Sequence, residues 1–183
     1  MTRVTNPAFP PSGQARYQVR FDVGSGGLAR IGDADVIVWV DALGASPIDL
    51  DTVPSAGVVL AADLRSRAAT ARWILDHQVA SGRRISISIV SSSGDGVFGS
   101  ADVLVAGAVV DSLATLGIDF TSPEAAVACA AFSGLTGAVG HLLTASVLGQ
   151  QLVADGSMTV EAVRERAVLD ADVDPVVLRA PAA

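Results

Sequence analysis

At 183 residues the chain has the length of one domain with room for a real core, and half of it is hydrophobic while only 17% is charged, which excludes disorder over the whole length. Net charge is −7, all twelve basic residues are arginine, and no basic cluster exceeds Arg83-Arg84. Binding to a phosphate backbone needs several convergent cations, so no nucleic-acid partner is expected.

Residues 1–14, rich in proline and polar residues, read as a flexible tail, and 15–183 as a single domain. Tyr17 to Asp22 reads as a strand, followed by the Gly24-Ser-Gly-Gly27 turn and a short helix near Leu28 to Ile31. The apolar run Val36 to Val40, ending in Asp41, is too continuous for a one-sided strand and is placed centrally, with both faces covered. Ala42 to Ser55 is irregular, and Gly57 to Asp63 is a third strand. From Leu64 to Ala80 the period changes: Leu64, Ala68, Ala71, Leu75 and Val79 mark the inner face of an amphipathic helix, stopped by Gly82. Ile85 to Val90 alternates strictly and forms a fourth strand. After the Gly/Ser loop Ser91 to Gly99, helices are read over about Ser100 to Leu116 and from the Ser122 cap, with Pro123 at its first position. Two more run from about Val139 to Ala154 and from Thr159, before an edge strand at Pro175 to Leu178. The alternation predicts a layered α/β fold with a largely parallel or mixed sheet and a helical C-terminal half.

Ala125 to Ala154 carries no formal charge, yet polar residues and Gly134, Gly137 and Gly140 interrupt it and no basic residue flanks it closely. Two buried helices account for it better than a membrane span, so no membrane partner is expected. A lone cysteine, Cys129, and the lack of an apolar leader fit a cytoplasmic setting. Cys129, Trp39 and Trp73 read as core residues, and His141 as a buried, hydrogen-bonded one.

Two places could carry chemistry. The first three strands end in Asp22, Asp41 and Asp63, and Asp95 follows the fourth. Parallel strands would gather these carboxylates on one rim, where oxygen ligands suit Mg²⁺ and a phosphorylated substrate. The competing reading is that each aspartate starts its own loop by accepting backbone N–H groups. The second place is the Ser91-Ser-Ser-Gly-Asp-Gly-Val-Phe-Gly99 loop, whose N–H groups and hydroxyls suit a phosphate or carboxylate. Its literal G-x-G-x-x-G lacks the following strand that would bring a ribose-binding acid, so dinucleotide binding is discounted.

The stretch Phe98-Gly-Ser-Ala-Asp102-Val-Leu-Val-Ala-Gly107-Ala-Val-Val-Asp111, together with Gly94-Asp95, Ser122-Pro-Glu-Ala-Ala and Leu148-Gly-Gln-Gln-Leu-Val-Ala-Asp-Gly156, resembles the C-terminal half of the 2-phosphosulfolactate phosphatase family. Asp41 is similar to the aspartate of that family's Asp-Val-Leu strand, and Leu64-Arg-Ser-Arg-Ala-Ala-Thr-Ala to its Asn-Ala-Ser-Ala helix start. The resemblance implies Mg²⁺-dependent hydrolysis of the phosphate ester of a small anionic hydroxyacid. Asp41 would ligate metal or act as acid/base, Asp95 or Asp102 would be the second ligand, and Ser91, Ser92, Ser93 and Gly94, with Arg65, would bind the phosphorylated or sulfonated anion. The chain departs from the family by lacking its Gly-Asn-Ser-Pro segment and Thr-Thr-Asn-Gly-Thr loop, and by having Ala101 where an acid is usual. Phosphoryl transfer depends on preorganised donors, so these losses imply reduced activity. The alternative is a non-catalytic paralogue that binds a small anion or a partner protein, including a homodimer through its Ala/Gly-rich helices.

Overall fold

The structure, a computed structural model, describes residues 10–55, 57–93, 98–171 and 173–181. Five strands, β1 (Val19–Val23), β2 (Val36–Val40), β3 (Val58–Ala62), β4 (Ile87–Ser91) and β5 (Val176–Arg179), form one mixed sheet in the order β1-β4-β2-β3-β5. The first four are parallel; β5 runs antiparallel to β3, with a register shift between Val59 and Leu60. The α/β class read from the alternation therefore holds, and the closing strand lies on the edge.

β2 is central because nothing in it asks for water. Its β-branched side chains restrict the backbone to extended conformations, and all five residues are buried between β4 and β3. Val36, Val38 and Val40 enter the larger core, while Ile37 and Trp39 enter a smaller one on the opposite face. Burying each such aliphatic side chain stabilises the fold by about 1.5–3 kcal/mol.

The two faces are covered unequally. α1 (Gly24–Ile31) and the segment from Ile48 to Val53 cover the thin side. On the thick side lie α2 (Arg67–Ser81) and α3 (Ser100–Thr115), then α4 (Pro123–Leu135), α5 (Val139–Ala145), α6 (Val147–Ala154) and α7 (Val160–Glu165). The β1–α1–β2 crossover passes β4 on the thin side, and β3–α2–β4 returns past β2 on the thick side. Opposite directions on opposite faces give both crossovers the same hand, as parallel connections require. At their carboxyl ends β2 therefore leaves toward the thin side and β3 toward the thick side, which makes a cleft between them.

α3 is buried around most of its circumference, and Gly107 lets α4 approach it closely: a Cβ there would lie 2.0 Å from the Ala128 carbonyl oxygen.

Four expectations need adjustment. The inner face of α2 is Thr70, Ala71 and Ile74, whereas Ala68 and Val79 are exposed. Leu64 belongs to the preceding turn, so a helical period counted from it runs one residue out of phase. The uncharged stretch is three helices with an exposed outer face, not two buried ones: a 3₁₀ turn at 136–138 and extended Ser146 (ψ 153°) break it, and Ser146 caps α6 by accepting from the Gly149 N–H. By length and composition Pro123–Ala154 suffices to cross a membrane (mean hydropathy 1.6), and 22% of its most apolar window is buried. His141 lies on the exposed face rather than inside. Finally, Pro11 to Gln14, read as part of the tail, is docked: the Gln14 amide donates to the Phe21 carbonyl (2.8 Å) and accepts from its N–H (3.1 Å).

Candidate functional site

Each strand-end aspartate first serves its own loop. Asp22 accepts from the Val23 N–H and takes a two-pronged ion pair from Arg30, with 2.8 Å to Nε and 2.7 Å to Nη2. Asp41 closes the turn after β2. Its Oδ1 accepts from the N–H groups of Leu43 (3.3 Å), Gly44 (2.8 Å) and Ala45 (3.2 Å), and its Oδ2 from Ser46 (2.6 Å). Gly44 has φ +72°, a left-handed conformation that glycine adopts freely, and so lets the turn wrap the carboxylate. Asp63 accepts from the N–H groups of Arg65 and Ser66 and from the Ser66 hydroxyl. The loop-starting role weighed in the sequence thus describes all three. Asp22 stands on β1, two strands from β2, while Asp41 and Asp63 border one cavity.

That cavity has a volume of about 450 Å³ and opens at the cleft between the carboxyl ends of β2 and β3. Ligands of open α/β sheets bind at such a switch point. Trp39 forms part of its floor and is held there by its indole N–H, which donates to the Ser46 carbonyl (2.8 Å). Arg65 and Arg166 line the same space. Both approach a single oxygen, Asp63 Oδ2, with Arg65 Nε at 3.5 Å and Arg166 Nη1 at 3.6 Å. Arg65 Nε is buried without a hydrogen-bond partner among the described residues. The guanidinium groups of Arg30, Arg67, Arg83 and Arg179 hydrogen-bond to protein oxygens, whereas those of Arg16, Arg72, Arg84 and Arg164, like Arg65 and Arg166, do not among the described residues. Arg65 was in the sequence expectation; Arg166 was not. It sits on the last turn after α7, far downstream of Asp63, and carries no local motif that would reveal it.

Across the Asp41 turn, at the β4/β2 cleft, lies a second cavity of about 190 Å³, bordered by Ser93, Phe98, Asp102, Ser146 and Gln151. Ser46 borders both spaces. Asp102, in the first turn of α3, is buried and ties three segments together. It accepts from the Ala42 N–H (2.9 Å) through Oδ1 and from the Ser92 and Ser93 hydroxyls (2.9 Å each) through Oδ2. Burial pushes its pKa above the ordinary carboxyl value, the three donors pull it down, and the nearby Asp41 charge adds to the rise. The hydroxyls of Ser92 and Ser93 therefore face a carboxylate, and the Ser91 hydroxyl is buried without a hydrogen-bond partner among the described residues. Gly94 and Asp95 lie outside the described residues.

A magnesium ion needs open carboxylate lone pairs converging on one point. Among the described residues the donors do not fit one. Four N–H groups converge on Asp41, Asp102 is enclosed by three donors, and no three acidic, histidine or cysteine side chains cluster. What the arrangement offers is a pair of guanidinium edges, beside the carboxylates of Asp41, Asp63 and Asp174, on a partly apolar cavity at a sheet's ligand-binding rim. No protein-family model matches the chain and no curated protein matches it, so the family resemblance rests on the residues that carry it.

Proposed function

We propose that this domain binds a small anion in the cavity between the carboxyl ends of β2 and β3. The observation that carries the reading is the pair Arg65 and Arg166, whose guanidinium groups border the cavity and make no hydrogen bond to protein acceptors among the described residues. A planar fork of N–H donors matches a carboxylate, sulfonate or phosphate two-prong fashion. Calorimetric titration with phosphoglycolate, sulfoacetate and lactate tests it. At least one should bind, and Arg166→Ala should weaken binding about tenfold or more, the weight of one lost charge-assisted contact. Absence of binding by all three at millimolar concentration would remove the reading.

Hydrolysis of a phosphate monoester is the second reading. It is favoured by Asp41 and Asp63 bordering the same cavity as the two arginines, acids beside cations being the usual furniture of phosphoryl transfer. Turnover of phosphoglycolate near 1 s⁻¹ or faster, lost in Arg166→Ala, would establish it. Binding without turnover would leave the domain as an anion-binding protein.

A further inference from the structure

We infer that the ligand of this cavity is a zwitterionic α-amino acid with an apolar side chain. The inference rests on the anion-binding reading, because the two arginines take the ligand's carboxylate, and it names the class of molecule that carries it.

The first ground is the order of charged groups along the rim. Val40 pairs with Ala62, and the Asp41 N–H still donates to the Ala62 carbonyl, so Asp41 stands level with Asp63. Val176 pairs with Ala61, and the same register carried two residues on sets Asp174 level with Asp63 from the other side. The rim is thus a row of three carboxylates across β2, β3 and β5, and their engagement differs. Asp41 is filled by four backbone N–H groups. Asp63 accepts from two N–H groups and a hydroxyl, and has Arg65 and Arg166 beside its Oδ2. Asp174 accepts no hydrogen bond and joins no ion pair among the described residues.

That order leaves two open groups of opposite sign on neighbouring strands, which lie about 4.8 Å apart. The unfilled N–H edges of Arg65 and Arg166 suit a carboxylate, and Asp174 suits an ammonium. A Cβ built at Gly44 would lie 3.6 Å from Arg166 Nη2, so this guanidinium stands on the β2 side of Asp63, away from β5. An ammonium at Asp174 therefore does not stand against it. An α-amino acid bears both charged groups on one carbon, as this spacing asks. A simple anion would face Asp174 with like charge, and a simple amine would face two guanidinium groups.

The second ground is the hollow below the rim. On one face of a sheet the next side chain along a strand belongs to the residue two positions away. Trp39 pairs with Ala61 and Ala61 with Val176, so the row below the carboxylates is Trp39, Ala61, Val176. All three line the cavity, and the small Ala61 lies between two larger side chains. It alone among the residues of β3 is only half-buried. The notch above its methyl group is bordered by Ile48 and Leu50. An amino acid with its head at the rim would drop its side chain into this notch, over Ala61 and against Trp39.

The experiment is a calorimetric series on the full chain with leucine, isocaproate (leucine without its ammonium), isoamylamine (leucine without its carboxylate) and glycine. Leucine should bind about tenfold or more tighter than each of the others, the weight of one charge-assisted contact or one buried aliphatic side chain. Asp174→Asn, a change at an exposed position, should bring leucine down to isocaproate while leaving isocaproate no weaker. Ala61→Val should fill the notch and erase the advantage of leucine over glycine. Arg166→Ala should weaken leucine and isocaproate by a similar factor. Isocaproate or glycine binding as tightly as leucine, or a preference for leucine that survives Asp174→Asn, would overturn the inference and leave anion binding standing. If no carboxylate binds, or only isoamylamine does, both fall together.

Discussion

Asp102 is the residue whose replacement separates charge from hydrogen bonding most cleanly. Asp102→Ala removes the acceptor for the Ala42 N–H, a group on a fully buried residue, and for the Ser92 and Ser93 hydroxyls. An orphaned buried N–H costs about 1–3 kcal/mol, and two hydroxyls with little access to water add to it. Relief from burying a carboxylate works the other way, so the net loss should be about 2 kcal/mol. In a domain of this size that lowers Tm by roughly 4–8 °C. Asp102→Asn keeps an oxygen for Ala42, offers its amide to the serine oxygens, which can accept as well as donate, and buries no charge; it should lie within about 1 kcal/mol of the parent. The pH dependence gives the sharper contrast. Burial raises the Asp102 pKa from 3.8, so the folded state holds this proton more tightly than the unfolded state. That contribution is whole below 3.8 and is lost as pH rises through the folded value. Asp102→Asn should therefore gain on the parent protein as pH rises from about 4 toward neutrality. Urea unfolding followed by circular dichroism across that range reads both effects. An alanine variant as stable as the parent, or an asparagine variant that tracks alanine, would refute the three-donor account.

Three further substitutions probe separate features. Asp35, paired two-pronged with Arg83 and accepting from the Ser86 N–H and hydroxyl, has its pKa held well below the usual carboxylate range by Arg83 first. Asp35→Ala should cost about 1 kcal/mol at neutral pH, and the parent's advantage should persist above about pH 4 and shrink as pH falls further, measured by urea unfolding. Gly107→Ala should destabilise by about 1–3 kcal/mol, because its methyl group meets the Ala128 carbonyl where α3 and α4 touch; thermal unfolding reads this. Asp41→Asn turns an amide NH₂ toward at least one of four N–H donors, so it should loosen the 41–46 turn at a cost of about 1–3 kcal/mol and speed amide exchange at Gly44 to Ser46, even if no ligand is present.

Much of the frame was legible because it is written in short-range chemistry. β2 is apolar at every position, so both of its faces must be covered; Ser122 and Thr159 announce helices by capping them, accepting from the N–H groups of Ala125 and Ala162. The strand-end aspartates were visible too, but their meaning was not. Gathering on one rim depends on strand order, and β4 inserts between β1 and β2, setting Asp22 apart from Asp41 and Asp63. Arg166 escaped notice because its relation to Asp63 exists only once α7 packs beside the sheet. The exposed outer face of α4 to α6 was misread for a related reason. Composition reports that a helix is apolar, not whether neighbours arrive to cover it, and here only residues such as Ala125, Ala128, Phe132, Val139 and Leu143 find cover.

The place of β5 in the chain has a consequence for biosynthesis. It follows every other element, yet it lines β3, an early strand, and Arg179 reaches back to the carbonyls of Ser55 (2.8 Å) and Leu50 (2.6 Å). A nascent chain that has released everything up to α7 can already assemble the four parallel strands and their helical cover. It still has β3 as a bare edge, and the cavity is missing one of its walls. The cavity therefore closes only once β5 has been made and has paired with β3. Clipping between α7 and β5 would return a finished molecule to that immature condition, with an unpaired β3 edge open to intermolecular strand pairing.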